Sequence, residues 1–498
     1  MQPRPINLSF LLAQLSLHFT VVSNIMTIYS MLRRNLKPVF ATILLAFCIH
    51  PETQAATSVT RGQITWYFSS DVQTGTYANG DPWVLGPVTI SSISPKPTTN
   101  GRYMNGSMLN PTITSTHGLD SNISYLDYDG ALNVGTKLPL SLKAGDMLLS
   151  SKSNATDEGA GWLEQIQILT VVSSAPAAGT FRPPYIGRTG KTSWNAANID
   201  YAKLHSLAMP AGGANVPNLA RLESNFQYPW IYVNNGAGNL HFRARLNHPW
   251  RDDTRASANY GRELSHMGAE ALLSLQLNYT NKQKEKLAIS LIQIGIDVYG
   301  AAKYAGANFY ADGGHNIGHK LPVLLAGTLL NDSDLLLIGA GHKFQEDQQT
   351  FYVDATTVSI TNGSSWAPDS RDVSDGAVTP YTSGDIGMPE WGIRHSSTPT
   401  ADNKHWDAKY RHVAGPAMVG HALAAQLMGL KEEWNWPAFF DYADRMYGLQ
   451  KSQASGGVNS IQLFVRDMWE SYRKTAPPSG TATLSPPLPP SSPRAVQQ

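Results

Sequence analysis

Cysteine is almost missing from this sequence: its 498 residues include one, Cys48, which sits in a short apolar run near the start. A chain that loses that run has no disulfide to staple it and no thiolate to use as nucleophile or metal ligand. Excess charge is missing too. Lys and Arg total 38 against 37 Asp and Glu, a formal net charge of +1, so nothing in the overall balance calls for nucleic acid. Several catalytic signatures are also absent. Gly313-Gly314 is not followed by the Gly-Lys-Ser/Thr of a phosphate loop, no Gly-x-Ser-x-Gly elbow occurs, and the glutamate of His-Glu-x-x-His is lacking.

The first residues read as export machinery. Met31-Leu-Arg-Arg-Asn-Leu-Lys-Pro38 is a basic segment, Val39 to Ile49 is apolar, and Gln54-Ala55-Ala56 offers small residues for cleavage. This is the layout of a secretory signal peptide over 31–56, cut near Ala55/Ala56, and its apolar run is too short to span a bilayer. Residues 1–30 are then expected to be an over-long start. A periplasmic or secreted bacterial protein is expected, with no membrane span after cleavage.

Between 57 and 178 the pattern is short and β-like. Ile64-Thr-Trp-Tyr-Phe68, Val88-Thr-Ile-Ser-Ser-Ile93 and Gln165-Ile-Gln-Ile-Leu-Thr-Val-Val172 are punctuated by Gly, Pro, Asn and Asp. Such spacing predicts a β-sandwich-like module. Ser173 to Gly179 reads as a linker, followed by Phe181-Arg-Pro-Pro-Tyr185. The period then changes. Residues 262–279, 282–305, 317–330, 413–430, 436–448 and 461–474 read as helices. Serial helices after a β module, an α+β multidomain plan, suggest an (α/α) toroid over 179–474, with a bundle or solenoid as the alternative. The polar, aromatic stretch 346–412 reads as long loops over a cleft, and the Pro-rich tail 475–498 as disordered.

The polar centre of the helical part is Tyr310-Ala-Asp-Gly-Gly-His-Asn-Ile-Gly-His-Lys-Leu-Pro322, a glycine-loosened turn that opens the apolar run Val323 to Leu330. It sets His315, Asn316, His319 and Lys320 at the mouth of a helix. Cations interleaved with aromatics recur in His241 to His266, which includes Trp250, and again in Trp391-Gly-Ile-Arg-His395 and Lys404 to His412, which includes Trp406, Tyr410 and Arg411. Such runs suit an anionic polysaccharide, stacking on its rings and pairing with its carboxylates. They suit solvated faces with structural ion pairs as well. No organic cofactor is required. Asp312 beside His315 and His319 leaves a structural divalent cation open, without the donor set of a catalytic zinc.

These groups match the needs of β-elimination from a uronate. The carboxylate must be neutralised, a base must take the C5 proton, and an acid must protonate the leaving O4. Imidazole has a suitable intrinsic pKa, and a phenol flanked by cations, as Tyr410 is by Lys409 and Arg411, can be drawn down from its usual ~10. The stretches Gly313-Gly-His-Asn-Ile-Gly-His-Lys320 and Phe344-Gln-Glu-Asp-Gln-Gln-Thr-Phe-Tyr352 make residues 60–475 resemble exported polysaccharide lyases of the alginate and glucuronan type. That resemblance implies an Asn/His pair on one segment, here His315-Asn316 in reversed order, with Arg and Tyr from another, here Arg394 and Tyr410 at wider spacing. The expected catalytic residues are therefore Tyr410, His315, Asn316 and Arg394. His319, Lys320, His266, Trp391, His395, Trp406, Arg411 and Trp250 are the expected substrate contacts. A glycoside hydrolase drawing two carboxylates from Asp312, Glu346, Asp347, Glu390 and Asp407 is the first alternative. A non-catalytic envelope glycan-binding protein is the second, and a metal-dependent enzyme at His315 and His319 the third.

Overall fold

In the computed structural model the described residues are 54–99, 101–114, 116–123, 127–154, 163–187, 193–232, 261–311, 313–363, 380–392, 411 and 413–474. The proposed signal peptide, the first thirty residues and the tail lie outside this set, except that Gln54, Ala55 and Ala56 open the first strand.

Strand β1 (Gln54–Arg61) turns through Gly62-Gln63 into the long β2 (Ile64–Thr76), pairing Arg61 with Ile64. Along β2 the apolar residues alternate: Ile64, Trp66 and Phe68 are buried while Tyr67 is exposed. The first half of β2 pairs with β4 (Val88–Ser94) and its last residues with β3 (Pro82–Leu85). Because two strands share one edge of β2, the sheet bends there. It continues from β4 to β8 (Leu140–Leu142) on one side. On the other it runs from β3 through β10 (Leu163–Val172) and β9 (Met147–Ser153) to β5 (Ser107–Leu109). The β3–β10 pairing is parallel and the others in this sheet are antiparallel. Two-residue strands β6 (Thr116–His117) and β7 (Asp127–Tyr128) pair separately. The sandwich expected from the short strands is thus one curled mixed sheet, a half-barrel.

The curl encloses its own core. Ile64, Trp66, Phe68, Val84, Ile90, Leu148, Leu169 and Val171 fill the concave side. The alternate residues of β9 and β10, Met147, Leu149, Ile166 and Ile168, point the other way and join the core of the helices. Strands buried on both faces read as near-continuous apolar runs, and Ile166 to Val172 is one, interrupted by Gln167 and Thr170.

The helical part comprises α1 (Leu219–Phe226), α2 (Gly261–Ser274), α3 (Asn281–Tyr304), α4 (Lys320–Leu330), α5 (Gln345–Gln349), α6 (Val419–Leu427), α7 (Pro437–Gln450) and α8 (Leu463–Tyr472), with short turns and the helix Ala355–Thr361 between, so the described part of 346–412, expected as long loops, carries regular helix and strand. Thr280 and Gln283 form a capping box at the start of α3. Every residue of α4 from Lys320 to Gly327 is buried, so this helix is the centre of the helical core. It ends where Asn331 takes a left-handed conformation, φ 51°, and Asp332 caps the next turn. The architecture is mixed α+β. Among the described residues no helix is long and apolar enough to cross a membrane.

Arg182, in the Pro-rich segment after the linker, joins the two parts. Its side chain is fully buried, and Nε donates to Asp81 beside β3 at 2.7 Å. Nη1 donates to Asp297 of α3 at 3.0 Å and Nη2 to the second oxygen of that carboxylate. The backbone beside it is held as firmly: Gln293 accepts from Arg182 N and donates to Arg182 O, both at 3.0 Å. Removing one partner of such a buried cluster strands the opposite charge, at a cost of ~3–5 kcal/mol. Arg182→Met is therefore expected to lower stability by about that amount, read from urea midpoints. An unchanged midpoint would mean that apolar contact alone joins sheet to helices.

Candidate functional site

The turn before α4 is assembled by three consecutive side chains of α5. Gln345 accepts from Asn316 N at 2.7 Å and donates to Gly313 O. Glu346 Oε1 accepts from Gly318 N at 2.8 Å. Asp347 takes the Lys320 ammonium on both oxygens at 2.8 Å, together with Phe344 N at 3.0 Å and the Trp434 indole N–H at 3.0 Å. The two stretches singled out in the sequence are thus one unit. Its other flank is the start of α2. An added Cβ on Gly261 would lie 2.1 Å from His315 O, and one on Gly318, whose φ is +94°, would lie 3.1 Å from Ser265 Cα. Only glycine permits this approach of turn to helix.

This packing decides which polar groups face outward. Of residues 313–320, His315 alone keeps partial exposure. His319 is buried in an aromatic box: Phe309 stacks on it at 4.7 Å, Trp230 and Tyr232 meet it edge-on, and Nδ1 donates to Asn316 O at 2.8 Å. Lys320 is fully buried and donates to Trp434 O as well as to Asp347. Burial drives Lys320 down and Asp347 up from their ordinary values, and their mutual attraction opposes both shifts. The substrate contacts expected of His319 and Lys320 are corrected accordingly, because three acceptors occupy the ammonium and the imidazole is walled in by rings. Asn316 is corrected too: its side chain is buried and Nδ2 donates to Tyr310 O at 3.1 Å, so the amide braces the turn rather than facing a carboxylate.

From this turn a chain of buried hydrogen bonds leads to a second cluster. Gln345 Nε2 also donates to Gln349 Oε1 at 3.2 Å, and Gln349 donates to Gly392 O. Strand β11 (Thr350–Tyr352), leaving α5, pairs with β12 (Pro389–Trp391). At β12 the Glu390 carboxylate accepts from Arg445 at 2.7 Å and from the Tyr381 hydroxyl at 3.0 Å, with Arg411 Nη2 at 3.1 Å. Arg411 donates onward to Tyr381 Oη at 2.8 Å and to Trp391 O at 3.2 Å. Arg411 and Trp391 are fully buried, the indole against Tyr442 at 5.7 Å. Arg411 is an internal brace and Trp391 a core residue, neither the guanidinium nor the platform expected to meet sugar. His266 is likewise internal: Nε2 donates to Val458 O at 3.0 Å, and burial lowers its pKa to about 3, leaving the ring neutral.

Tyr410, Arg394, His395, Trp406, Trp250, Asp312 and Asp407 lie outside the described residues. Among those described, no three His, Cys, Asp or Glu side chains gather as a metal would need. Sequence reasoning named none of Gln345, Gln349, Tyr381 and Trp434 as site residues, although the first two lie in the stretch Phe344 to Tyr352 that it singled out, and these four hold the two clusters. The unbroken polar run Gln345 to Gln349 behind a buried Phe344 was the available signal. No family model, curated protein or solved structure matches this chain.

Glu346 gives the turn a pH dependence. Burial, reinforced by the neighbouring Asp347, pushes its carboxyl from 4.5 up to about 7. Between those values the folded state holds a proton that the unfolded chain has released, so this group's stabilisation falls as pH rises and is lost above about 7. Glu346→Gln keeps an acceptor for Gly318 N without titrating. It is expected to flatten the fall in urea midpoint between pH 5 and 8, and at pH 8 to exceed the parent by ~1–3 kcal/mol. Parallel pH profiles for the two proteins would refute this assignment.

Proposed function

We propose that this protein is an exported polysaccharide lyase that cleaves a uronate-containing chain, of alginate or glucuronan type, by β-elimination. The observation that carries the reading is the partial exposure of His315 in a turn whose other members from Gly313 to Lys320 are buried. In this proposal His315 takes the C5 proton or holds the carboxylate. Tyr410 protonates the leaving O4, and Arg394 neutralises the carboxylate. Asn316, drawn inward, positions His315 instead of touching substrate.

Connectivity supports pairing the two segments. Arg411, one peptide from Tyr410, is tied to Trp391, and Gly392, two residues before Arg394, is tied through Gln349 and Gln345 to the backbone of Asn316. The finer architecture proposed with this function is an (α/α) toroid. The hydrolase alternative is weakened by the same contacts. Glu390 and Asp347 are engaged by buried cations, and Glu346 is sealed behind Gly318. Export, with cleavage at the start of β1, belongs to the proposal as well.

Turnover of a panel of uronate polysaccharides, followed at the absorbance of the unsaturated product, tests the proposal. At least one is expected to yield that chromophore, where hydrolysis would shorten the chain without it. Tyr410→Phe is expected to abolish turnover nearly completely while binding is kept, and His315→Ala to lower it at least ~100-fold. Undiminished turnover in Tyr410→Phe would remove that residue from the mechanism, and a panel without chromophore would remove the lyase.

A further inference from the structure

A groove lies beside Gln348 of α5, and His315 is not among its lining residues. It has a volume of about 630 Å³, and its lining includes Asn308, His342, Lys343, Gln348, Phe351 and Trp436. Four of the five residues of α5 turn inward; Gln348 is half-exposed here. The groove is built rather than incidental. The half-buried indole of Trp436 is fixed by its N–H, which donates to Thr350 O at 3.0 Å. Lys343 sets its ammonium 4.7 Å from the centre of that ring, and Gln348 donates to Lys343 O at 3.2 Å.

The chemistry of the wall narrows what fits. No carboxylate lines the groove, and among the described residues Lys343 has no acidic partner within ion-pair distance. Its one charge is therefore positive and available. His342 Nε2 has no hydrogen-bond partner, and burial with the nearby Lys320 charge holds its imidazole below the usual range, hence neutral. A fixed aromatic face, one cation and several neutral amide and imidazole groups match a pyranose bearing a carboxylate. The ring's C–H face lies on the indole, the acid meets the ammonium, and hydroxyls meet the amides. A nucleic-acid backbone would want several cations in a row, and this groove offers one.

We propose that the groove formed by Lys343, Gln348, Phe351 and Trp436 is a binding site for a carboxylate-bearing sugar chain, separate from the His315 turn. It does not depend on the protein being a lyase, because a glycan-binding protein would use it equally. The groove shares no lining residue with the turn Gly313–Lys320, and the site holds a polymer and does no chemistry itself.

The test is calorimetric titration of the full chain with hexamannuronate, and with cellohexaose as the neutral control, in the Tyr410→Phe background so that the ligand is not consumed. Hexamannuronate is expected to bind at least 10-fold more tightly than cellohexaose. Lys343→Gln, an exposed change that leaves the core intact, is expected to weaken it at least 5-fold and remove most of its salt dependence. Trp436→Ala is expected to weaken it at least 10-fold, with the thermal transition recorded to confirm folding. Absence of hexamannuronate binding, or affinities unmoved by Lys343→Gln, would overturn the site. Product absorbance from the parent protein is read separately, so loss of the groove and loss of the lyase give different patterns.

Discussion

The backbone of the Gly313–Lys320 turn is buried, and buried peptide groups without partners cost roughly 1–3 kcal/mol each. That constraint organises the helical part. The turn makes no regular ladder of its own, so its carbonyl and amide groups must be met by side chains. Gln345, Glu346 and Asp347 meet them in sequence, Gly313 O with Asn316 N, then Gly318 N, then the Lys320 ammonium. A five-residue helix can do this because its central carboxylate, Asp347, also accepts from Phe344 N and fixes the helix against Trp434. The turn is rigid because it is over-determined, and His315 inherits that rigidity while keeping access to solvent.

A comparable device joins the halves of the molecule. The convex faces of β9 and β10 share an apolar core with the helices, but an apolar contact is tolerant of sliding. Arg182 is not tolerant: its fork must meet Asp81 and Asp297 together, and the planar guanidinium permits only a narrow set of orientations. Whatever its net contribution to stability, the cluster sets the position of α3 against the sheet. Since α4 packs on α3 and begins at Lys320, the same register reaches the candidate site.

Much of this plan was legible before any coordinates. Helices expected at 282–305, 317–330 and 436–448 are found as α3, α4 and α7 within a few residues, apart from the late start of α4 at Lys320, because long apolar periods and caps such as Thr280 leave little choice. The strands were legible for the same reason, but their assembly was not. A curled sheet and a sandwich use the same short alternating strands, and what separates them is that β2 serves two partners on one edge. Site residues divide likewise. That the Gly313 and Phe344 stretches matter could be seen in their unusual polarity. That Lys320, His319, Arg411 and Trp391 face inward could not, because their partners Asp347, Phe309, Glu390 and Tyr442 lie 10 to 51 positions away and nothing local marks them.

The inward cations carry a further implication for electrostatics. With Lys320 and Arg411 each neutralised by a buried carboxylate, the field at the mouth of the turn cannot come from them at full strength. A polyanion approaching His315 would instead feel groups at the surface, and a charge there is screened over ~8–10 Å at ordinary salt. The interior cations act by shape, holding the backbone of the turn in which His315 keeps partial exposure. On the proposed function, affinity for an anionic chain would then come from surface groups, of which Lys343, just before α5, is one with an aromatic ring already fixed beside it.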